Sequence, residues 1–106
     1  MDVVNAIAKV RFGSAKPQRV QLRKGPRGPI ELLCMEPGQK LKAEGGRWAY
    51  YVVTGTARVE AGGAATDLSA GQLALTEAGE GHTLCAAGEQ RLICLAIGEK
   101  PERLPR

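Results

Sequence analysis

Residues 48–71 decide the fold: Trp48-Ala49-Tyr50-Tyr51-Val52-Val53-Thr54-Gly55-Thr56-Ala57-Arg58-Val59-Glu60-Ala61-Gly62-Gly63-Ala64-Ala65-Thr66-Asp67-Leu68-Ser69-Ala70-Gly71. Aromatic and β-branched residues crowd the first half. Such side chains pack well on a pleated surface, so this half reads as strand. Gly55 interrupts the run and marks a bend or tight turn. Gly62-Gly63 sits where a hairpin reverses, because glycine reaches positive φ without steric cost. Trp48, Tyr50 and Val52 share one strand face, and Tyr51 and Val53 share the other.

Outward from this stretch the pattern repeats. Met1 to Val10 allows a short helix or an irregular lead-in; if a helix, Asp2 could cap it and Gly13-Ser14 would stop it. Arg19 to Leu22 reads as a short strand, and Lys24 to Pro29 as a Gly-Pro turn or loop. Ile30 to Met35 is a strand with Ile30, Leu32 and Cys34 on its apolar face and a mixed second face. Glu36 to Gln39 is a turn, and Leu41 to Arg47 a short strand passing into a loop. Beyond Gly71 come short strands at Leu73–Thr76 and His82–Cys85, with the glycine-bearing stretch Glu77 to Gly81 between them. The nearly continuous apolar strand Arg91–Ile97 follows. Eight to ten short strands with glycine-rich turns predict an all-β barrel or sandwich. Closure would remove the exposed strand edges.

Composition sets limits. A chain of 106 residues is one domain with a limited core. We divide it into an arm (1–17), a barrel (18–98) and a charged tail (99–106). Three cysteines without a CxxC argue against a disulfide framework and structural zinc, and favour a cytoplasmic setting. No apolar run reaches the ~18 residues of a membrane span, and the N-terminus has no signal-peptide pattern.

The net charge is +4, and the first 27 residues hold Lys9, Arg11, Lys16, Arg19, Arg23, Lys24 and Arg27 against Asp2. No aromatic residues interleave these charges as a stacking platform requires. A solvated segment is therefore the better reading than nucleic-acid binding. No nucleophile elbow, HExxH or phosphate loop is found. Cys34, Cys85 and Cys94 read as small core residues. Strand alternation puts Cys85 on the face opposite His82.

The order of turns resembles the cupin superfamily, small RmlC-like jelly-roll β-barrels with two motifs. The first motif runs glycine, five residues, His-x-His, three or four residues, Glu, six residues, Gly. Pro37-Gly38 matches its turn and Gly55 its last glycine. The second motif matches in spacing from Gly71, keeping Gly79 and His82, with Glu77 in place of proline and Ala86 in place of asparagine. Val52 to Val59 also resembles the cupin domain of type II phosphomannose isomerases. The resemblance implies a jelly roll, and it puts Lys42, Glu44 and Trp48 where the family carries metal ligands. Only His82 matches the family's residue at a ligand position, and one imidazole does not hold a metal at useful affinity, though Glu44 could rotate in as a second ligand.

The expectation is a non-catalytic domain without metal or other cofactor. It binds a small molecule in a barrel pocket lined by His82, Trp48, Tyr50, Glu44 and Lys42. The alternative is a metal-dependent sugar isomerase or small oxygenase with an atypical site. Each residue also has a plainer reading: Trp48 and Tyr50 as core filling, Lys42 and Glu44 as a solvated loop, His82 as a hydrogen-bonded remnant. A homodimer is expected: Tyr51 and Val53 point outward and can be covered, and the last strand is apolar on both faces (Ile93, Leu95 and Ile97; Leu92, Cys94 and Ala96), so the face that does not fill the barrel needs a second layer or a partner. The arm either crosses to the partner or folds back on its own barrel.

Overall fold

The computed structural model describes residues 1–25, 28–44 and 46–99. A 3-10 turn, Ile7–Lys9, precedes nine strands: β1 (Gln18–Gly25), β2 (Gly28–Met35), β3 (Lys40–Ala43), β4 (Trp48–Thr54), β5 (Thr56–Ala61), β6 (Ala64–Ser69), β7 (Leu73–Leu75), β8 (His82–Ala87) and β9 (Leu92–Gly98). They form a five-stranded sheet ordered β1-β2-β9-β4-β7 and a four-stranded sheet ordered β3-β8-β5-β6. Every strand pair is antiparallel. This is the all-β architecture the turn pattern predicts.

The inner faces of the two sheets share one core. Leu33 and Met35 of β2, Tyr50 and Val52 of β4, and Leu92, Cys94 and Ala96 of β9 meet Ala57, Val59, Leu84 and Ala86 from the other sheet. From β4 to β5 the chain passes from one sheet to the other at a single residue, Gly55. The pairing of β4 with β9 slips between Val52 and Thr54, which is a bulge, and Gly55 follows with φ 91°. A bulge sharpens local twist, and glycine then turns the corner. Gly62 and Gly63, both at positive φ, close the two-residue hairpin in which Ala61 faces Ala64. Positive φ at both positions is what a type I′ turn needs.

Three local expectations are corrected. The N-terminal helix is only a 3-10 turn whose N-cap is Ala6, so Asp2 caps nothing; the Ala8 N–H instead donates to Asn5 Oδ1 at 3.4 Å. A segment this short does not repay helix nucleation. The Gly-Pro loop is a hairpin: Gly25 pairs with Gly28 and Lys24 with Pro29, while Pro26 and Arg27 lie outside the described residues. Finally, it is the mixed face of β2, Glu31, Leu33 and Met35, that turns toward the barrel, not the apolar one. Leu33 and Met35 fill the barrel, whereas Leu32 and Cys34 face outward. The reason is position: β2 lies between β1 and β9, and its outer side is roofed by the chain's own N-terminal segment.

That roof is Val10 and Phe12, which, like Leu22 and Ile93, pack against the cluster of Val20, Leu32 and Cys34. The Arg91 guanidinium lies 4.6 Å from the centre of the Phe12 ring, and its Nε donates to Glu36 at 2.6 Å. The Gln39 amide donates to the Gly13 carbonyl at 2.7 Å. Residues 10–13 thus fold back on their own barrel. Gly98 closes β9, and residues 100–106 of the tail lie outside the described residues.

Candidate functional site at the barrel mouth

β4 brings Trp48 and Tyr50 to the inner face, as their shared parity requires. Tyr50 is 2% exposed and Trp48 is half-buried. Their rings stack with centroids 5.9 Å apart and planes 7° from parallel. Thr76 holds the start of this strand: the Trp48 N–H donates to Thr76 Oγ1 at 3.0 Å, and the Thr76 N–H donates to the Trp48 carbonyl at 2.9 Å. Gly98 lies under the indole. A Cβ there would come within 3.0 Å of Trp48 Cη2 and Cζ3.

His82 enters from the opposite sheet, at the start of β8, and is 4% exposed. Its Nε2 lies 2.5 Å from the Tyr50 hydroxyl, and its Nδ1 lies 3.4 Å from the Glu80 carbonyl. A carbonyl only accepts, so in the neutral ring Nδ1 carries the proton. Nε2 is then the acceptor, and Tyr50 donates to it. Burial pushes the Tyr50 phenol well above its ordinary value, which keeps the donor protonated. The bond ties the two sheets together across the barrel mouth. Phenylalanine at position 50 should cost ~1–3 kcal/mol, because it leaves a buried imidazole nitrogen without a partner. Urea denaturation measures this, and unchanged stability would show that the bond contributes nothing.

Arg19 and Glu31 belong to the same end, and the sequence reading missed both. Arg19 faces Leu33 across the β1–β2 pair, on the side that fills the barrel. Its Nη2 and Nε donate to Glu31 Oε1 at 2.7 and 3.2 Å. Its guanidinium carbon lies 6.0 Å from the centre of the Trp48 ring. The charges of both residues reach Tyr50. One signal was available in the sequence. Glu31 is the single acid in a strand otherwise apolar on both faces, and such a carboxylate needs a partner.

Lys42 and Glu44 sit at the rim, both exposed. A cavity of about 470 Å³ is lined by Lys42, Glu44 and His82, together with Glu60, Thr83 and the small residues of the β5–β6 hairpin. A second, of about 440 Å³, is lined by Trp48 with Arg47, Leu75, Glu77, Ile97 and Glu99. Tyr50 lines neither. Three of the five expected residues therefore share one cavity, Trp48 opens on another, and Tyr50 lies beneath, bonded to His82. Cys85 faces away from His82, and its thiol points to Glu60 at 3.6 Å. Burial raises all three thiols, Cys94 up to about 12, so none is an activated nucleophile.

With two sheets closed over one core, a family model for the cupin domain matches residues 31–98, more than half of the chain. The chain belongs to the cupin family. Among solved cupin-like structures, that of a Thermus thermophilus protein is similar with TM-score 0.86 and 22% identity, covering 95% of this chain and 100% of that one. An uncharacterized conserved Klebsiella pneumoniae protein with a double-stranded β-helix domain gives TM-score 0.84 and 20% identity, over 93% and 90% of the two chains. An RmlC-like cupin from Desulfovibrio desulfuricans gives 0.81 and 18%, over 96% and 99%. At these identities the likeness is one of fold. No curated protein matches the chain.

Many cupins hold a metal at this mouth, but the side chains of this cupin do not fit one. Among the described residues no group of three or more His, Cys, Asp or Glu converges as a ligand set. Tyr50 occupies the outer nitrogen of His82. The indole of Trp48 donates through its N–H and has no lone pair to ligate with.

Proposed function

We propose that this cupin is a small-molecule binding domain that works without a metal. Its ligand would sit in the cavity of about 470 Å³ at the barrel mouth, against His82 and between the rim charges of Lys42 and Glu44. The observation that carries this reading is that the rim residues Lys42 and Glu44 and the distant His82, from another strand, line one concave site. Few convergent polar groups in a concave setting are the usual form of a ligand site. Tyr50, with Trp48 stacked on it, would act beneath, and together with the Glu80 carbonyl it holds His82 in one tautomer and one orientation. The resemblance of Val52 to Val59 to phosphomannose isomerases lies in the β4–β5 corner. That corner builds the fold and carries no site residue, so it lends no support to sugar isomerisation.

The test is a fragment mixture of polyols, carboxylates and planar heterocycles, followed by amide NMR and the emission of Trp48, the one tryptophan in the chain. Binding should shift the amide signals of Lys42, Glu44, His82 and Thr83, and the Lys42→Ala/Glu44→Ala variant should abolish the shifts. Ligands that gather elsewhere would overturn the location. Stoichiometric iron, manganese, nickel or zinc in protein purified without chelator would overturn the metal-free reading.

Among the described residues no helix is long and apolar enough to cross a membrane. Three free, buried thiols support the cytoplasmic setting.

A further inference from the structure

The cavity of about 440 Å³ beside Trp48 shares no lining residue with the one at His82, and the proposed ligand does not use it. The strand register explains its shape. Leu75, Ala49 and Ile97 lie side by side on β7, β4 and β9, facing away from the core. Neighbouring strands lie about 4.8 Å apart, so Leu75 and Ile97 stand about 10 Å from each other. Only the methyl group of Ala49 lies between them. The roof of Val10 and Phe12 reaches Ile93 and goes no further, so it covers half of this outer face. The row at Ala49 stays open, with Leu75 71% and Ile97 45% exposed.

The next row toward the end of the barrel is charged. Arg47 comes just before β4, while Glu77 and Glu99 lie just beyond the ends of β7 and β9. All three are exposed, and all three line the cavity. Backbone bonds fix their order. The Glu99 N–H donates to the Arg47 carbonyl at 2.9 Å. On the other side the Thr76 N–H, one residue before Glu77, donates to the Trp48 carbonyl at 2.9 Å. One cation thus stands between two anions, on backbone that is already held. Among the described residues no ion pair joins Arg47 to either acid.

We propose that this cavity binds a free α-amino acid with an apolar side chain. The ligand carboxylate meets the guanidinium of Arg47, a planar donor fork that matches its shape. The ligand ammonium sits one carbon away from that carboxylate. It meets Glu77 or Glu99, which flank Arg47 at the spacing of adjacent strands. The side chain lies over Ala49, between Leu75 and Ile97 and beside Trp48.

Charge disfavours simpler ligands. An alkyl carboxylate would gain Arg47 but would face two carboxylates. An alkylamine would gain an acid but would face the guanidinium. A zwitterion satisfies the charged row as it stands and still has one apolar group to bury. The volume is within the ~300–1,000 Å³ usual for small-molecule sites.

Titration of the full chain with L-phenylalanine, followed by amide NMR and the emission of Trp48, tests the site. Concentrations up to about 20 mM cover a site of millimolar affinity. The amide signals of Ala49, Leu75, Thr76 and Ile97 should shift and saturate, and the emission should change in step. 3-Phenylpropionate lacks the ammonium, and 2-phenylethylamine lacks the carboxylate. Each should bind about tenfold more weakly, the loss of one charge-assisted contact. Arg47→Gln should erase the advantage of phenylalanine over the amine. Glu77→Gln with Glu99→Gln should erase its advantage over the carboxylate. The three residues are exposed, so both variants should keep the wild-type circular dichroism. Absence of a saturable shift overturns the proposal. So does equal binding of the three compounds, which would mean an apolar dent only, and so does an advantage that survives both variants. Shifts confined to Lys42, Glu44, His82 and Thr83 would put the amino acid in the other cavity and overturn this site. Signals of Leu75 and Ile97 that move with protein concentration, and not with phenylalanine, would give the face to a second copy and overturn the ligand.

Discussion

Alanine in place of Gly55 is expected to lower stability by ~3 kcal/mol or more, about 15 °C in melting temperature for a domain of this size. Two effects act together. At φ 91° a side chain is strained whatever surrounds it. Here the surroundings are also closed: a Cβ would come within 2.5 Å of the Arg91 carbonyl oxygen and 3.0 Å of Leu92 Cα. Those are backbone atoms of the neighbouring strand, so they cannot rotate away. The whole corner between the sheets would have to shift. Gly38 provides the control. It has φ 87° with open space around its Cβ position, so Gly38→Ala carries the strain alone and should cost about 1 kcal/mol. Thermal or urea unfolding of the two variants separates the terms. Equal losses would mean that the approach of Arg91 is not what demands glycine at 55.

The second large effect is at the mouth. Truncating Trp48 to alanine should cost ~3 kcal/mol. It removes a half-buried indole together with its stack on Tyr50, which contributes ~0.5–1.5 kcal/mol beyond area. It also leaves the guanidinium of Arg19 without the ring it lies against. His82→Ala should cost less, about 2 kcal/mol, mainly by leaving the Tyr50 hydroxyl buried without a partner. The order of the two is the informative quantity. A larger loss for His82→Ala would show that the cross-sheet bond, rather than ring packing, closes the barrel. A Trp48→Ala protein as stable as the parent would mean that the indole contributes no core packing.

Much of the fold was legible because its signals are local. Alternation along Trp48 to Val53 put Trp48, Tyr50 and Val52 on the inner side, and all three meet the core. The same rule separated Cys85 from His82. Gly62-Gly63 marked its hairpin, since few other residues accept two consecutive positive φ values. Errors came where a local signal had two solutions. The Gly-Pro stretch reads equally as a loop or as the tip of a hairpin, and only pairing with β2 extends strand through Lys24 and Gly25. Which face of β2 turns inward stayed open for a related reason. Ile30, Leu32 and Cys34 form its apolar face, yet the mixed face of Glu31, Leu33 and Met35 fills the barrel. Periodicity carries no information about which one turns inward.

The candidate site was legible in part. Strand spacing and the family's motif order singled out His82 and the rim residues Lys42 and Glu44, and the three line one cavity. What the chain did not reveal by itself is who bonds whom. Tyr50 and His82 stand 32 residues apart on different sheets, and their bond exists only because the sheets close face to face. Arg19 looked like one more cation of a basic arm. It meets Glu31 because β1 folds against β2 with a register slip after Gln21. The sequence by itself therefore determined strand identity, which residues share a strand face, and the glycine corners, because these depend on neighbours within a few residues. The tertiary structure alone decided the closed mouth, the Arg19–Glu31 pair over Trp48 and the half-roofed outer sheet. Each of these depends on long-range register, which side-chain alternation along one strand does not encode.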